Sequence, residues 1–222
     1  DAHSTQLLIN EIAVSYQSLL NNETVNLPNL PIQVVDYAHW QQQNLSDQII
    51  QQQLNFWKNY LKGIPACISL PIDRPRPKMQ TFEGDFCEIE LDSTTCTAFF
   101  DCCKSHQLTP FMLLLSSYFV LLSRYSRQQD ICVGVPVSGR HFSEIENLIG
   151  FFINALVIRA DFTQNLELSD FFENIKESVL SAFAHQDIPA EQVIEAINPE
   201  RSLSYPPLAQ VAFSFQNSTD ID

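Results

Sequence analysis

Residues 110–140 read PFMLLLSSYFVLLSRYSRQQDICVGVPVSGR, and this stretch sets the fold class. Pro110 suits the first turn of a helix, where its missing N–H leaves no bond unmade. Phe111 to Tyr125 is then almost wholly apolar, which predicts a helix buried on all sides. Ile131 to Val137 is a short β-branched run, and so a buried strand. The same alternation continues outward. Toward the C-terminus, Ile149 to Ala160 reads as a second strand and Ser169 to Ala184 as a helix. Ala190 to Ile197 is a shorter helix, and Leu208 to Phe215 is a last strand. Toward the N-terminus, Thr94 to His106 reads as a helix, and Phe86, Ile89 and Leu91 sit in a strand. Pro65 to Pro77 is extended, because its prolines exclude a helix. Asp36 to Tyr60 reads as one or two helices. Leu8, Ile9, Ile12, Tyr16, Leu19 and Leu20 recur at helical spacing, with Asp1 and Ser4 as candidate N-caps. No internal repeat is present. The pattern is a mixed α and β architecture.

Composition narrows the function. The 222 residues are enough for a packed core, and 45% are hydrophobic. Twelve Lys and Arg stand against 26 Asp and Glu, giving a net charge of −14. That balance argues against binding nucleic acid or an anionic membrane surface, both of which reward cationic side chains. None of the five glycines is one residue from another, which excludes a G-x-G-x-x-G dinucleotide site. Gly134 and Gly139 have phosphate-loop spacing, but Arg140 and His141 stand where Lys and Ser or Thr are needed. The six cysteines include no C-x-x-C pair and lie mostly in apolar runs, so they read as free buried thiols of a cytoplasmic protein. The longest apolar stretch, Phe111 to Leu122, is too short to span a bilayer. The chain starts at Asp1 and enters a helical pattern at once, and is expected to be cut from something longer.

Three constellations carry possible chemistry. Cys102, Cys103 and His106 cluster, but Cys96 and Cys103 follow the apolar stripe of their helix, so buried thiols are favoured over a metal site. His185 and Asp187 in His185-Gln186-Asp187-Ile188-Pro189 form a second group, which a helix end explains equally well. Arg140 is a lone cation after a buried strand. It is either a solvated loop residue or a buried one that needs a carboxylate.

Six segments then form an ordered series. Val35 to Trp40 (VDYAHW) is similar to a YxDYAxW motif, and Leu70 to Pro77 (LPIDRPRP) to LPxDRPRP. Ile149 to Arg159 (IGFFINALVIR) is similar to IGxFVNTLxxR. His185 to Ala190 (HQDIPA) is similar to HQDxPFE, with Ala190 in place of Phe. Arg201 to Leu208 resembles RDxSRxPL, and Phe213 to Asn217 resembles FxxQN. The chain thereby resembles the condensation domains of nonribosomal peptide synthetases. Asp1-Ala2-His3-Ser4 resembles the tail of their active-site motif HHxxxDG, with Ala2 in place of Gly, and both histidines of the motif would precede Asp1.

The resemblance implies a chloramphenicol acetyltransferase-like fold of two sandwiched lobes with a tunnel between them, here a partial domain. Residues 1–60 would hold the motif tail and the helices that end the N-terminal lobe, residues 61–85 an inter-lobe linker, and residues 86–222 most of the C-terminal lobe. The implied reaction is amide formation: the amine on an acceptor carrier protein attacks a thioester on a donor carrier. Phosphopantetheine arrives on these carriers and no cofactor is bound directly. Carrier domains and an adjacent adenylation domain are the implied partners. Asp1 is implied to be a structural member of the active-site motif and Arg140 its salt-bridge partner. Ala2, Ser4, Asn154, Gln186, Asp187 and Asn217 are implied to line or support the tunnel, with Asp187 capping the helix that starts near Pro189. Residues 1–222 without the two histidines are expected to be inactive alone. Two other readings remain. A heterocyclisation domain carries DxxxxDxxS, whose second half Asp1 and Ser4 fit. A non-catalytic module would only dock carriers, although carriers are acidic and so is this chain.

Overall fold

The structure is a computed structural model that describes residues 1–164 and 166–216. Its elements are α1 (Ala2–Leu20), α2 (Val34–Asn44), α3 (Asp47–Tyr60), α4 (Ser93–Ser105), α5 (Pro110–Ser126), β1 (Asp130–Val137), α6 (Ser143–Glu146), β2 (Asn154–Asp161), α7 (Leu168–Phe183) and α8 (Ala190–Ile197). Contacts divide the chain into two compact units. One is Asp1–Gln53 with Val137–Asn154, and the other is Leu54–Pro136 with the chain from Ala155 on.

In the first unit, Asp1 caps α1 by accepting from Ser4 N at 2.7 Å. Asp36 reaches back to Gln33 N at 2.8 Å and closes a capping box on α2. Ile145 and Leu148 are fully buried, while Leu8, Ile12, Tyr16 and Leu19 on α1 are exposed.

The second unit holds the larger core. Thr109 caps α5 by accepting from Met112 N, Pro110 occupies its first turn, and Arg127 ends it in the left-handed conformation. Helices α5 and α7 pack together, burying Leu115, Phe119, Ile175 and Ala182. Strand β2 alternates: Leu156, Ile158 and Ala160 are buried, so Arg159 points the other way. There its guanidinium grips Asp130 of β1 through two bonds of 2.8 Å, Arg159 Nε to Oδ1 and Nη2 to Oδ2. It also donates to the Tyr60 carbonyl at 2.7 Å and the Lys62 carbonyl at 3.1 Å, where α3 ends. One side chain thus ties β2 to β1 and to the end of a helix.

Five expectations are corrected here. The strand at Phe86, Ile89 and Leu91 is absent. The alternation is present, but no neighbouring strand lies against it among the described residues, and Phe86 and Ile89 are 83% and 82% exposed. The last strand shrinks to one parallel bridge between Gly134 and Ala212. Gly134 N donates to the Val211 carbonyl and Phe213 N to the Gly134 carbonyl. The next rung would need a donor at position 136, and Pro136 has none. The second strand begins at Asn154 rather than Ile149, because the amides of Gly150 and Phe152 bond to side chains instead. Helix α5 is buried on one side only: Leu121 and Tyr125 are 51% and 62% exposed. All six cysteines are free, yet only Cys103 and Cys132 are buried and Cys87 is exposed.

Burial on β1, with the Asp130 charge adding to it, pushes the Cys132 thiol up to about 12. A thiol held neutral in the folded state but free to ionise when unfolded stabilises the fold fully below the ordinary thiol range. The contribution is lost as pH rises toward 12. Stability measured by denaturant unfolding is therefore expected to fall between about pH 9 and 12 in the wild type and to fall less steeply in Cys132→Ala. Equal slopes would contradict the shift.

Candidate functional site

The first unit is organised around Arg140. Gly139 precedes it at φ +64°, and a Cβ there would collide with the Phe152 carbonyl, so glycine is required. The turn sends Arg140 inward, and its side chain is 5% exposed. Nη1 donates to the carbonyls of Ile145 (2.6 Å), Leu148 (2.9 Å) and Glu146 (3.2 Å). These lie on and just after α6, where the end of a short helix leaves its carbonyls with spare acceptor capacity. Nη2 donates to Ser4 Oγ at 2.9 Å and to both Asp1 carboxylate oxygens at 3.3 Å. The Phe152 ring lies under the guanidinium, 4.2 Å from its carbon. Arg140 Nε is buried without a hydrogen-bond partner among the described residues. Burial also draws the pKa of this guanidinium below its usual value.

Asp1, 3% exposed, accepts from Ser4 N, Phe152 N and Arg140 together. Ser4 is buried, and its hydroxyl is committed on both sides. It donates to the Gly150 carbonyl at 2.7 Å and accepts from Gly150 N at 2.9 Å as well as from Arg140. His3 Nε2 donates to the Glu146 carbonyl at 2.9 Å. The start of α1 is therefore laced to the 140–152 segment by side chain to backbone bonds. Around it, Tyr37 stacks on Trp40 and packs against Phe152, and Trp40 packs edge-on to Phe142.

The structure thus brings Asp1, Ser4 and Arg140 together, with Ala2 exposed beside them. Asn154 is in the same unit, half-buried at the head of β2. Gln186 and Asp187 belong to the second unit, half-buried and exposed respectively, in the turn after α7. The N-cap position of α8 is Pro189, two residues beyond Asp187. Asn217 lies outside the described residues. His185 is held by three contacts: Nδ1 donates to the Ser181 carbonyl, the Trp57 indole donates to the His185 carbonyl, and Phe56 stacks on the ring at 3.7 Å. His106 caps the end of α4 and packs edge-on to Phe172, and burial raises the Cys103 pKa. Among the described residues no group of three His, Cys, Asp or Glu is placed to hold a metal ion.

Sequence reasoning missed Gly139, Gly150 and Phe152 as parts of this site. The signal available was their setting: one glycine adjoins the lone arginine, and the other opens the aromatic pair Phe151-Phe152.

These features define a mixed α/β protein, and comparison with known proteins places it in the chloramphenicol acetyltransferase-like class. The family model "Condensation domain" matches residues 1–221, and the chain belongs to that family. It is 38% identical over 222 residues to malpinin synthetase of Mortierella alpina, covering 100% of this chain and 3% of that protein. It superposes on the crystal structure of the X-domain from teicoplanin biosynthesis with a TM-score of 0.87 and 26% identity, covering 96% of this chain and 48% of that one. A holo four-domain nonribosomal peptide synthetase bound to AMP and glycine gives 0.85 and 30%, covering 97% and 16%. The chain therefore spans about half of one matched structure and a few per cent of the matched synthetase.

Removing the Ser4 hydroxyl leaves Gly150 N and one Arg140 donor unsatisfied in a buried setting. Ser4→Ala is expected to cost about 2–3 kcal/mol in denaturant unfolding, whereas Thr5→Ala, one position along on an exposed part of α1, is expected to cost under about 1 kcal/mol. Similar losses for the two would contradict the wiring.

Proposed function

We propose that residues 1–222 form part of an amide-forming condensation domain of a nonribosomal peptide synthetase. The amine of an acceptor aminoacyl group, carried on phosphopantetheine by one carrier protein, attacks the thioester carbonyl of a donor group on another. The C–N bond forms as the C–S bond breaks, and the donor thiol leaves. An adenylation domain of the same synthetase loads the acceptor carrier, and no cofactor is bound directly by this chain. The residue-1–60, 61–85 and 86–222 division into lobe, linker and lobe belongs to the same proposal, as does a cytoplasmic setting. No single helix among the described residues is long and apolar enough to cross a membrane.

The observation that carries this reading is the buried Asp1–Arg140 pair. Both oxygens of Asp1 already accept, from an arginine and two backbone amides, so Asp1 holds the backbone in place and is not the base. The remaining supports are the family membership and the order of the six motifs. Asn154, Gln186 and Asp187 support the substrate path rather than the chemistry. Ring formation has only the spacing of Asp1 and Ser4 in its favour, and carrier docking without chemistry has no observation of its own.

The test follows dipeptidyl-carrier by mass spectrometry, using donor and acceptor carriers loaded with aminoacyl thioesters. The synthetase polypeptide that carries this chain is expected to form product. Arg140→Ala is expected to lower both the rate and the melting temperature, because it unpairs Asp1 and Ser4. Lost rate with unchanged melting temperature would instead give Arg140 a chemical role. Residues 1–222 alone are expected to match the no-protein control. Their five histidines, His3, His39, His106, His141 and His185, include none in an HHxxxD context, and orientation and acid–base help together supply many orders of magnitude. Product well above the control would place the catalytic group within residues 1–222.

A further inference from the structure

Residues 71–92 form neither helix nor strand, and every one of them is exposed. The segment is fixed at its two roots. Before it, Gln210 accepts from Ile68 N at 2.9 Å and donates to the Ala66 carbonyl at 3.2 Å. Gln128 accepts from Ser69 N at 2.8 Å and donates to the Cys67 carbonyl at 3.2 Å. After it, Asp92 caps α4 by accepting from Thr95 N at 2.8 Å. Between these anchors, among the described residues, one backbone-to-backbone hydrogen bond ties residues 71–91 to the rest of the chain, from Gln80 N to the Leu203 carbonyl at 2.9 Å. Exposed backbone with so few bonds can enter a protease without unfolding anything else.

Three of the twelve Lys and Arg lie here, at Arg74, Arg76 and Lys78, and Arg74 and Arg76 are each followed by proline. At those two bonds the leaving nitrogen belongs to a pyrrolidine ring, which has no N–H and puts extra carbon where a protease accommodates a secondary amide. Lys78 is followed by Met79, which is 66% exposed. Pro75 and Pro77 also hold the approach to Lys78 extended, so less order is lost on binding. The exposed cations elsewhere are guarded by structure. Lys58, Lys104, Arg124 and Lys176 lie within helices. The Lys62 carbonyl accepts from Arg159 at 3.1 Å, and Arg127 N donates to the Ser123 carbonyl at 2.9 Å. Arg201 precedes half-buried Ser202, whose hydroxyl accepts from Ser204 N at 3.0 Å.

We propose that the Lys78–Met79 bond is a cleavage site for a trypsin-class serine protease, and that the two pieces stay together after the cut. The protease's pocket carboxylate selects the Lys78 ammonium, and its serine oxygen attacks the Lys78 carbonyl. The serine proton passes through the protease's histidine to the Met79 nitrogen as the C–N bond breaks. Water then releases the Lys78 carboxylate and restores the serine, so one water is consumed per cut. The piece ending at Lys78 keeps Trp57, Leu61 and Ile68 buried in the second unit, and the Trp57 indole donates to the His185 carbonyl at 2.9 Å. Gln128 and Gln210, both on the other piece, grip residues 66–69 across the cut. In the first unit, Asp1 and Ser4 remain bonded to Arg140 and Gly150.

The test adds a trace of trypsin to the polypeptide that carries this chain and follows new N-termini within residues 1–222 by mass spectrometry over time. The terminus at Met79 is expected first, at least about tenfold faster than those at Gly63, Gln128 or Ser202, whose release needs local unfolding. K78Q is expected to abolish the Met79 terminus and leave the slower cuts unchanged. P75A/P77A is expected to add termini at positions 75 and 77 at rates comparable to the one at Met79. On size-exclusion chromatography in native buffer the cut pieces are expected to elute together, and in denaturant to separate. A first cut at any other bond, no new termini in P75A/P77A, or pieces that part in native buffer would each overturn the proposal.

Discussion

The guanidinium of Arg140 is the constraint on which the first unit depends. Withdrawing a cation and a carboxylate from water costs several kcal/mol each. At 3.3 Å, their mutual attraction is worth only about 5 kcal/mol at an effective dielectric constant of about 20. The pair alone does not close that gap. Three carbonyls at the end of α6, the Ser4 hydroxyl and the Phe152 ring supply the rest. Each of these partners must sit where the guanidinium reaches it. This explains why Gly139 turns as it does, why the Asp1 side chain caps α1, and why residues 150–152 give their amides to side chains rather than to a strand.

Arg159 plays the corresponding part in the second unit, with a difference. Its bidentate pair with Asp130 is partly open to solvent, and the Asp130 bond together with nearby negative charge holds its pKa up. Arg140 is drawn down by burial alone. One arginine fastens strands and a helix end, where solvent offsets part of the burial cost. The other is sealed, and its sealing is what fixes the backbone around Asp1 and Ser4.

Much of this could be read from the chain. The helices at 94–106, 169–184 and 190–197 fall within a residue or two of their observed bounds, because their apolar spacing and caps are local signals. The lone arginine in a cation-poor chain left a solvated loop and a buried ion pair equally open, and the family resemblance then pointed to Asp1 as its partner. What could not be read depends on distant neighbours. The segment at Phe86 to Leu91 has a strand pattern, but pattern alone does not supply a ladder. The strand at Leu208 to Phe215 fails at Pro136, far away in sequence, which no local window includes. The face of α5 bearing Leu121 and Tyr125 was expected inside because composition does not tell which side of an apolar helix is covered.

Asp1 and Arg140 are held to stabilise the fold as one unit rather than as two independent residues, and a double-mutant cycle tests this central claim directly. Asp1→Asn and Arg140→Met are made singly and together, and each variant is unfolded in denaturant. The predicted result is a coupling energy of at least about 1.5 kcal/mol, since each single change strands the other charge in a buried site. Additive effects, with a coupling below about 0.5 kcal/mol, would contradict it.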